Sequence, residues 1–482
     1  MKKKGSITVF LCLFLAIFIG IVQIFFYAVQ IAGGRVQAIA GVQEGLYSVF
    51  AGYDRELLKK YHLFFVDGTY NTAHLNMGEA YHRVRQQVER SCSPQIINLG
   101  IRGENFWNCY FERGEITGYT LATDKNGASF KKQAIEYMED TLGNQGVQLL
   151  LEQMQTEGKW SITEDGNLYL EKGKNAQESY ELEVQEDSGS EKDSPSEIPK
   201  NFINPLEVVK EIRKKGILSL VMPFSAKVSQ ISVNLNEMPS KRKNEIGIIV
   251  GTGEQDATDV VGTLLFREYI MTHLNCYTDS IDNAGLAYEL EYVLGGKSSD
   301  IENLKSVVTK LIGIREASNM AYLMTDSLRQ AELHQMALMI CTALGMPAIE
   351  RVVSLALAAA WSYGESLLDV RNLLSGGKIP FVKTKDTWML SIEGLCNLTQ
   401  ILKENSKTTQ NGMSYEEYLR VLLGLQNEEQ QVNRTIDVVE NTIRAIKGKE
   451  KFRMDYCFSY MEVLMYVNCN GLEYEILRDY GY

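Results

Sequence analysis

Glu365 and Asp369 stand four residues apart in WSYGESLLDVRNLL, and Arg371 follows two residues later. On a helix such spacing puts both carboxylates on one face. Paired carboxylates serve as general acid and base, or hold a metal ion. Two parts of such a site are missing: a histidine nearby in sequence, and a second acidic helix of matching pattern. The simpler reading is charge neutralisation inside a helical domain, by Arg371, Lys378 or Arg315. A second stretch, Gly295-Gly296-Lys297-Ser298, invites comparison with a phosphate loop. That loop needs G-x-x-x-x-G-K-[ST], so that successive backbone N–H groups wrap the phosphates. The first glycine falls at 291, where Glu291 would repel phosphate. Glu289–Leu294 is read as a strand, the glycines as a turn, and Ser298 or Ser299 as the cap of a helix beginning near Asp300. No nucleotide partner is expected.

Among the five histidines, His62, His74, His82, His273 and His334, none sits in H-E-x-x-H, and no G-x-S-x-G occurs. No catalytic residue, cofactor or metal ligand is therefore assigned, and the chain is not expected to be an enzyme. The net charge of −12 argues against nucleic acid, which selects a basic face. Cys12 lies inside an apolar run and acts as a small apolar filler. No two cysteines are spaced C-x-x-C. If the body is exported, Cys92–Cys109 and Cys457–Cys469 are candidate disulfides, each closing a short loop.

These residues are carried by a chain of 482 residues, long enough for two or three domains. Lys2, Lys3 and Lys4 precede a run from Ile7 to Tyr27 that is apolar apart from Thr8, Gly20 and Gln23. As a helix it measures about 32 Å, enough to cross the apolar core of a bilayer. It exceeds the apolar stretch of a secretory signal, about 7–15 residues. The run therefore reads as a retained anchor, with the basic tip cytoplasmic and the bulk of the chain outside the membrane. Beyond it, Val36, Ile39, Leu46, Phe50, Tyr53 and Leu57 recur at a spacing near 3.5, broken only at Gln43. That is a seam for packing along another helix, whether on the chain's own body or on a partner.

Further along, Met77–Arg90 and Phe130–Gln155 read as helices, and His62–Val66, Glu115–Thr123 and Lys159–Leu170 as short extended segments, the last with a turn at Asp165-Gly166. Residues 171–200 carry many acids and few large apolar side chains, which suits a solvated linker. Ile301–Ile314, Ala317–Leu344, Ala348–Leu374, Tyr415–Leu425 and Val432–Ile446 have helical periodicity. Ala348–Ala360 is apolar nearly all round but includes Glu350 and Arg351, so it reads as a buried core helix. Arg453–Val467 alternates as a strand, and Tyr474–Tyr482 is placed to pair with it.

The start of the chain resembles the plan of type IV pilins: a basic leader ending at Gly5, a possible processing point before Ser6, and a long apolar helix. It differs at the fifth position after that point, where Phe10 replaces the pilin glutamate. It is closer to TadE/TadG-like anchored proteins of tight-adherence pilus systems. The blocks YDRELLKKYHLFFVDG (53–68), GLAYELEYVLGGKSSDIENL (285–304), REASNMAYL (315–323), AAAWSYGESLLDVRNLLSGGKIPFVKTKDTW (358–388) and MSYEEYLRVLLGL (413–425) resemble a family of single-pass bacterial proteins of unknown function from clostridial-type bacteria. The resemblance implies association with tight-adherence pilus components and assigns no activity.

Together these readings predict an α+β protein. Its parts are a cytoplasmic tip (1–5), a transmembrane helix (6–30), a helical stalk (31–60), an α+β region (61–170), an acidic disordered linker (171–200) and a helix-rich domain ending in antiparallel strands (201–482). The expected role is structural or accessory. It acts through contacts with the lipid bilayer and with pilus-assembly or other surface proteins. A surface module binding a protein or glycan, and an enzyme with a dispersed acidic site, are the alternatives.

Overall fold

The computed structural model describes residues 4–92, 95–96, 101–102, 105, 107–157, 163–187, 203–223, 226–248, 260–280, 285–404 and 412–482. The chain divides into two compact units. Unit 1 comprises Met1–Tyr137, Pro239–Thr258 and Ile443–Tyr482, and unit 2 comprises Met138–Met238 and Asp259–Thr442.

Unit 1 starts with α1 (Lys4–Phe50), followed by α2 (Arg55–Tyr61), β1 (Val66–Asp67) and α3 (Met77–Cys92). A small hairpin of β2 (Gln95–Ile96) and β3 (Ile101–Arg102) leads to β4 (Cys109–Leu121) and the start of α4 (Asp124–Glu157). The C-terminal β5 (Cys457–Cys469) and β6 (Leu472–Gly481) return to this unit. β5 lies at the centre of an antiparallel sheet, with β4 on one side and β1 and β6 on the other. Asn470 and Gly471, at φ 54° and 84°, supply the left-handed pair that a two-residue hairpin between β5 and β6 requires. Met461, Val463, Met465 and Val467 alternate along β5 and are buried with Ala38, Val42, Leu46 and Val49 of α1 and Ala80, Val84 and Val88 of α3. Glycines let the two helices approach closely. A Cβ on Gly45 would come within 2.9 Å of the Val84 Cα, and one on Gly41 within 2.8 Å of the Ser91 Cβ.

The seam along α1 is thus met by the chain's own body. Leu46 and Phe50 are in the core and Ile39 packs against it, but Val36 is 67% exposed. The seam does not continue as a single stalk. α1 ends at Phe50, the Asp54 side chain accepts from Glu56 N and Leu57 N, and a new helix carries Leu57 into the core. Tyr53 lies in the bend, bridged to Val66.

The disulfide pairing also differs from expectation. Cys109 and Cys469 face each other across the β4–β5 ladder and are bonded, 360 residues apart in sequence. Cys92 and Cys457 remain thiols, buried in unit 1. Sequence spacing favours short loops, whereas strand register decided which sulfurs met.

Unit 2 holds α5 (Thr163–Asp187), α6 (Pro205–Arg213), α7 (Ile217–Val221), α8 (Val260–His273), α9 (Glu289–Gly295), α10 (Asp300–Thr325), α11 (Ser327–Leu344), α12 (Glu350–Leu374), α13 (Leu398–Ile401), α14 (Tyr415–Gly424) and α15 (Glu428–Arg444), the last residues of which pass into unit 1. α12 is the hub: every residue from Ala356 to Leu374 is buried, against α5, α10 and α11 among others. α10 begins as read, with the Ser299 hydroxyl accepting from Glu302 N. The single helix expected over Ala317–Leu344 is interrupted at Asp326, which closes α10 and caps α11 through Arg329 N. Glu289–Leu294 is helix α9, not a strand.

The acidic segment expected as a linker and the extended segment expected over Lys159–Leu170 are helical where described: α5 begins at Thr163, and 159–162 lie outside the described residues. Residues 171–187 belong to α5, while 188–200 lie outside the described residues. Gly166, Leu170, Gly173, Ala176 and Tyr180 are buried at helical spacing, and Glu171, Lys172, Lys174 and Glu178 are exposed. Glycine makes the contact: a Cβ on Gly173 would meet Ala359, and one on Gly166 the Ala317 carbonyl. A face on which small residues outnumber the large ones, Leu170 and Tyr180, lets α5 lie close on α10 and α12 with few of the large apolar residues that mark an amphipathic helix.

Candidate functional site: a buried ionic network

α10 and α12 pack side by side, and their facing surfaces carry the charged groups singled out above. Arg315 and Asn319 project from α10; Glu365, Ser366 and Asp369 project from α12. Beyond α12 the chain reverses at Gly376 (φ 81°) and returns Lys383 to the same place. Arg315, Glu365 and Asp369 have no solvent exposure and Lys383 has 2%.

The contacts form one connected network. Arg315 Nε donates to Asp369 Oδ2 (2.9 Å), one terminal nitrogen donates to Phe381 O (2.7 Å) and Tyr418 OH (3.0 Å), and the other to Asn319 Oδ1 (3.0 Å). Asn319 passes its own N–H groups to Ser366 Oγ (3.0 Å) and Asp369 Oδ2 (3.1 Å). Lys383 Nζ bridges the two acids, 2.7 Å from Glu365 Oε1 and 2.7 Å from Asp369 Oδ1, and donates to Thr387 O. Met389 N and Leu390 N complete the shell of Glu365 at 2.9 and 2.8 Å. Trp361 Nε1 donates to Leu390 O at 2.8 Å.

Burial alone would push both carboxyls upward. At Asp369, Lys383 and Arg315 outweigh burial and hold the carboxyl below its usual range. At Glu365, burial dominates, Lys383 offsets it in part, and the neighbouring Asp369 adds to the rise. Two carboxylates face two cations; both Glu365 oxygens and Asp369 Oδ2 accept hydrogen bonds from the protein, and Asp369 Oδ1 has the ion-pair contact with Lys383 and no hydrogen bond among the described residues. Desolvated charges are costly unless paired and hydrogen-bonded. What the arrangement does chemically is clamp the irregular segment from Ile379 to Leu390 onto two helices.

Of the expected cations, Arg315 is the partner of Asp369, whereas Arg371 turns away and donates to Met222 O (2.8 Å). Lys383, Asn319 and Tyr418 were not legible as participants. They come from three separate blocks of sequence, and only α10, α12 and α14 bring them together.

A second buried acidic group lies on α9 and the start of α10. Glu289 accepts from Asn275 N and Thr442 Oγ1, both at 3.0 Å, and Asp300 accepts from Ser229 Oγ (2.6 Å) and Ala287 N (3.1 Å). Glu291, at the place where a phosphate loop would have a glycine, accepts from Tyr277 N (2.9 Å) and Tyr415 OH (2.7 Å) through Oε1. Its Oε2 has no hydrogen-bond partner among the described residues. Burial raises this carboxyl to about 7, against the lowering pull of those two donors.

Among the described residues no group of three histidine, cysteine or acidic side chains is placed to hold a metal ion. A cavity of about 620 Å³ is lined by Lys310, Ile314, Ala317, Leu422 and Leu425, with Glu291, Glu365 and Asp369 outside its lining.

The architecture defines a class: a helical unit locked by buried ion pairs, on a chain whose first helix is long enough and apolar enough to cross a membrane. The chain belongs to DUF5702, a family of unknown function, which matches residues 195–469. That span holds the ionic network, the Glu291 group and β5. No curated protein and no solved structure matches the chain.

Proposed function

We propose that this is a membrane-anchored extracytoplasmic protein with a structural or accessory role, exercised through protein contacts. The observation that carries the reading is α1. Its first half, Ile7–Val29, is apolar and exposed, and its second half is core of unit 1 without any break between them. Ala38-Ile39-Ala40 has the small-residue pattern of a signal-peptidase site, and a cut there would strip Gly34 and Ala38 from that core. The lysine-rich tip supports a cytoplasmic N-terminus. The Cys109–Cys469 disulfide supports an oxidising compartment for the body. The pilin-like start and the tight-adherence resemblance support an association with pilus-assembly components.

The mass of the N-terminal peptide from membrane-extracted protein tests the anchor. A start at Met1 or Lys2 is expected, and a start near Gly41 overturns it. A start at Ser6 would instead mark pilin-type processing with the helix retained. Co-purification from detergent-solubilised membranes tests the pilus association, and the absence of any pilus-assembly protein would remove that part alone.

A further inference from the structure

Because α1 is continuous, the height of anything packed on it is counted along the helix from Ile7. Ile7–Tyr27 spans about 32 Å, close to the ~30 Å apolar thickness of a bilayer, so Tyr27 falls at its outer boundary. Unit 1 reaches down to that level. Tyr27 OH donates to Asn470 O (3.2 Å), which puts the β5–β6 turn beside Tyr27. A few residues on, Gly33 lies against Trp107 and Gly34 against the Cys109–Cys469 disulfide, and Arg35 lies over the Tyr474 ring at 5.6 Å. Arg35 is the first charged residue after Lys4. Tyr110 and Leu472, at this end of β4 and β6, are 54% and 47% exposed.

Amphipathic rings and an arginine within about 12 Å beyond that boundary, with exposed apolar side chains beside them, are what the interfacial layer of a bilayer selects. The nearby acid Glu473 is held by Arg113 at 2.6 Å, and Glu112 accepts from Asn468 Nδ2 at 2.9 Å. Arg113 also lies 4.0 Å from Glu112, so the two acids share its guanidinium.

We propose that this end of unit 1, the Asn470-Gly471 turn with Trp107, Tyr110, Leu472 and Tyr474, is seated in the phospholipid headgroup layer of the membrane that α1 crosses. The inference rests on α1 being a membrane span. Two attachments then fix the unit, the helix and the turn, so unit 1 sits on the bilayer and is not held above it by a stalk.

The full chain is reconstituted into vesicles of phosphatidylcholine and phosphatidylglycerol that carry a headgroup-diazirine phosphatidylcholine. Irradiation is followed by peptide mass spectrometry. Lipid adducts are expected on the peptides bearing Tyr110 and Leu472 as well as on α1. In a Tyr110→Glu/Leu472→Glu variant the adducts on those peptides should fall several-fold while those on α1 persist. Adducts confined to α1 in the unaltered chain would overturn the seating and leave the anchor standing. Absence of adducts on α1 would overturn the anchor, and the seating with it.

Discussion

Glu291 shows how one buried side chain can make a whole unit sensitive to pH. It sits on α9 with one oxygen bonded to Tyr277 N and Tyr415 OH and the other without a hydrogen-bond partner among the described residues. The folded carboxyl keeps its proton up to about pH 7, whereas an unfolded glutamate releases it near its ordinary 4.5. Between these values the folded state binds more protons, so stability falls as pH rises from about 4.5 to 7 and is flat beyond. The drop is about 3 kcal/mol at most. Glu291→Gln keeps an acceptor for both donors and removes the titration. Thermal melts over this range should show the variant matching the unaltered chain at low pH and exceeding it at about pH 8. Parallel curves would refute the assignment.

At the scale of elements, the α10–α12 pair and the segment from Ile379 to Leu390 behave as one object because Lys383 and Arg315 stitch them together. Breaking a buried ion pair by removing one partner is more costly than removing both, because an uncompensated charge stays behind. Lys383→Met leaves Glu365 and Asp369 with Arg315 alone and should cost about 3–5 kcal/mol in unit 2. Adding Glu365→Gln should recover part of that loss, measured by urea denaturation with hydrogen exchange of α10 and α12 as the local readout. A double variant destabilised by the sum of the two single losses would show that the groups are not coupled. The same scale explains α5. Its inward face sets Gly166, Gly173 and Ala176 beside two large residues, Leu170 and Tyr180, and close approach to α10 and α12 makes up for the scarcity of large side chains.

For the molecule as a whole, the Cys109–Cys469 bond joins the middle of the first half of the chain to its last strands. Both ends belong to unit 1, while most of the intervening residues form unit 2. Closing so long a loop restricts the unfolded chain strongly, and losing a native bond of this kind costs about 2–5 kcal/mol. Non-reducing peptide mapping should recover a 109–469 linked pair. Cys109→Ser with Cys469→Ser should lower the melting point of unit 1, whereas Cys92→Ser with Cys457→Ser should leave the linked pair in place. Recovery of a 92–109 or 457–469 peptide instead would overturn the register of β4 on β5.

Several features were legible without any tertiary information, because they are properties of short stretches. The apolar run to Tyr27, the buried character of Ala356–Ala360 (though not of Ala348 and Arg351, which are exposed), the cap at Ser299, and the alternation along β5 each follow from local composition and period. The same logic misled where local and tertiary demands diverge. The acids of α5 look like a linker because its packing face is mostly glycine and alanine, with Leu170 and Tyr180 the large exceptions. Glu289–Leu294 looks like a strand because a short apolar run is compatible with either period. The heptad-like spacing from Val36 to Leu57 runs across the end of α1 at Phe50 and into α2, which Asp54 caps. The pairings belong to tertiary structure. Arg315 and Lys383 reach Asp369 from 54 residues before it and from beyond the turn at Gly376, and Cys109 reaches Cys469 across 360. Contacts at such separations depend on how helices pack and strands register, and no window along the chain contains both partners.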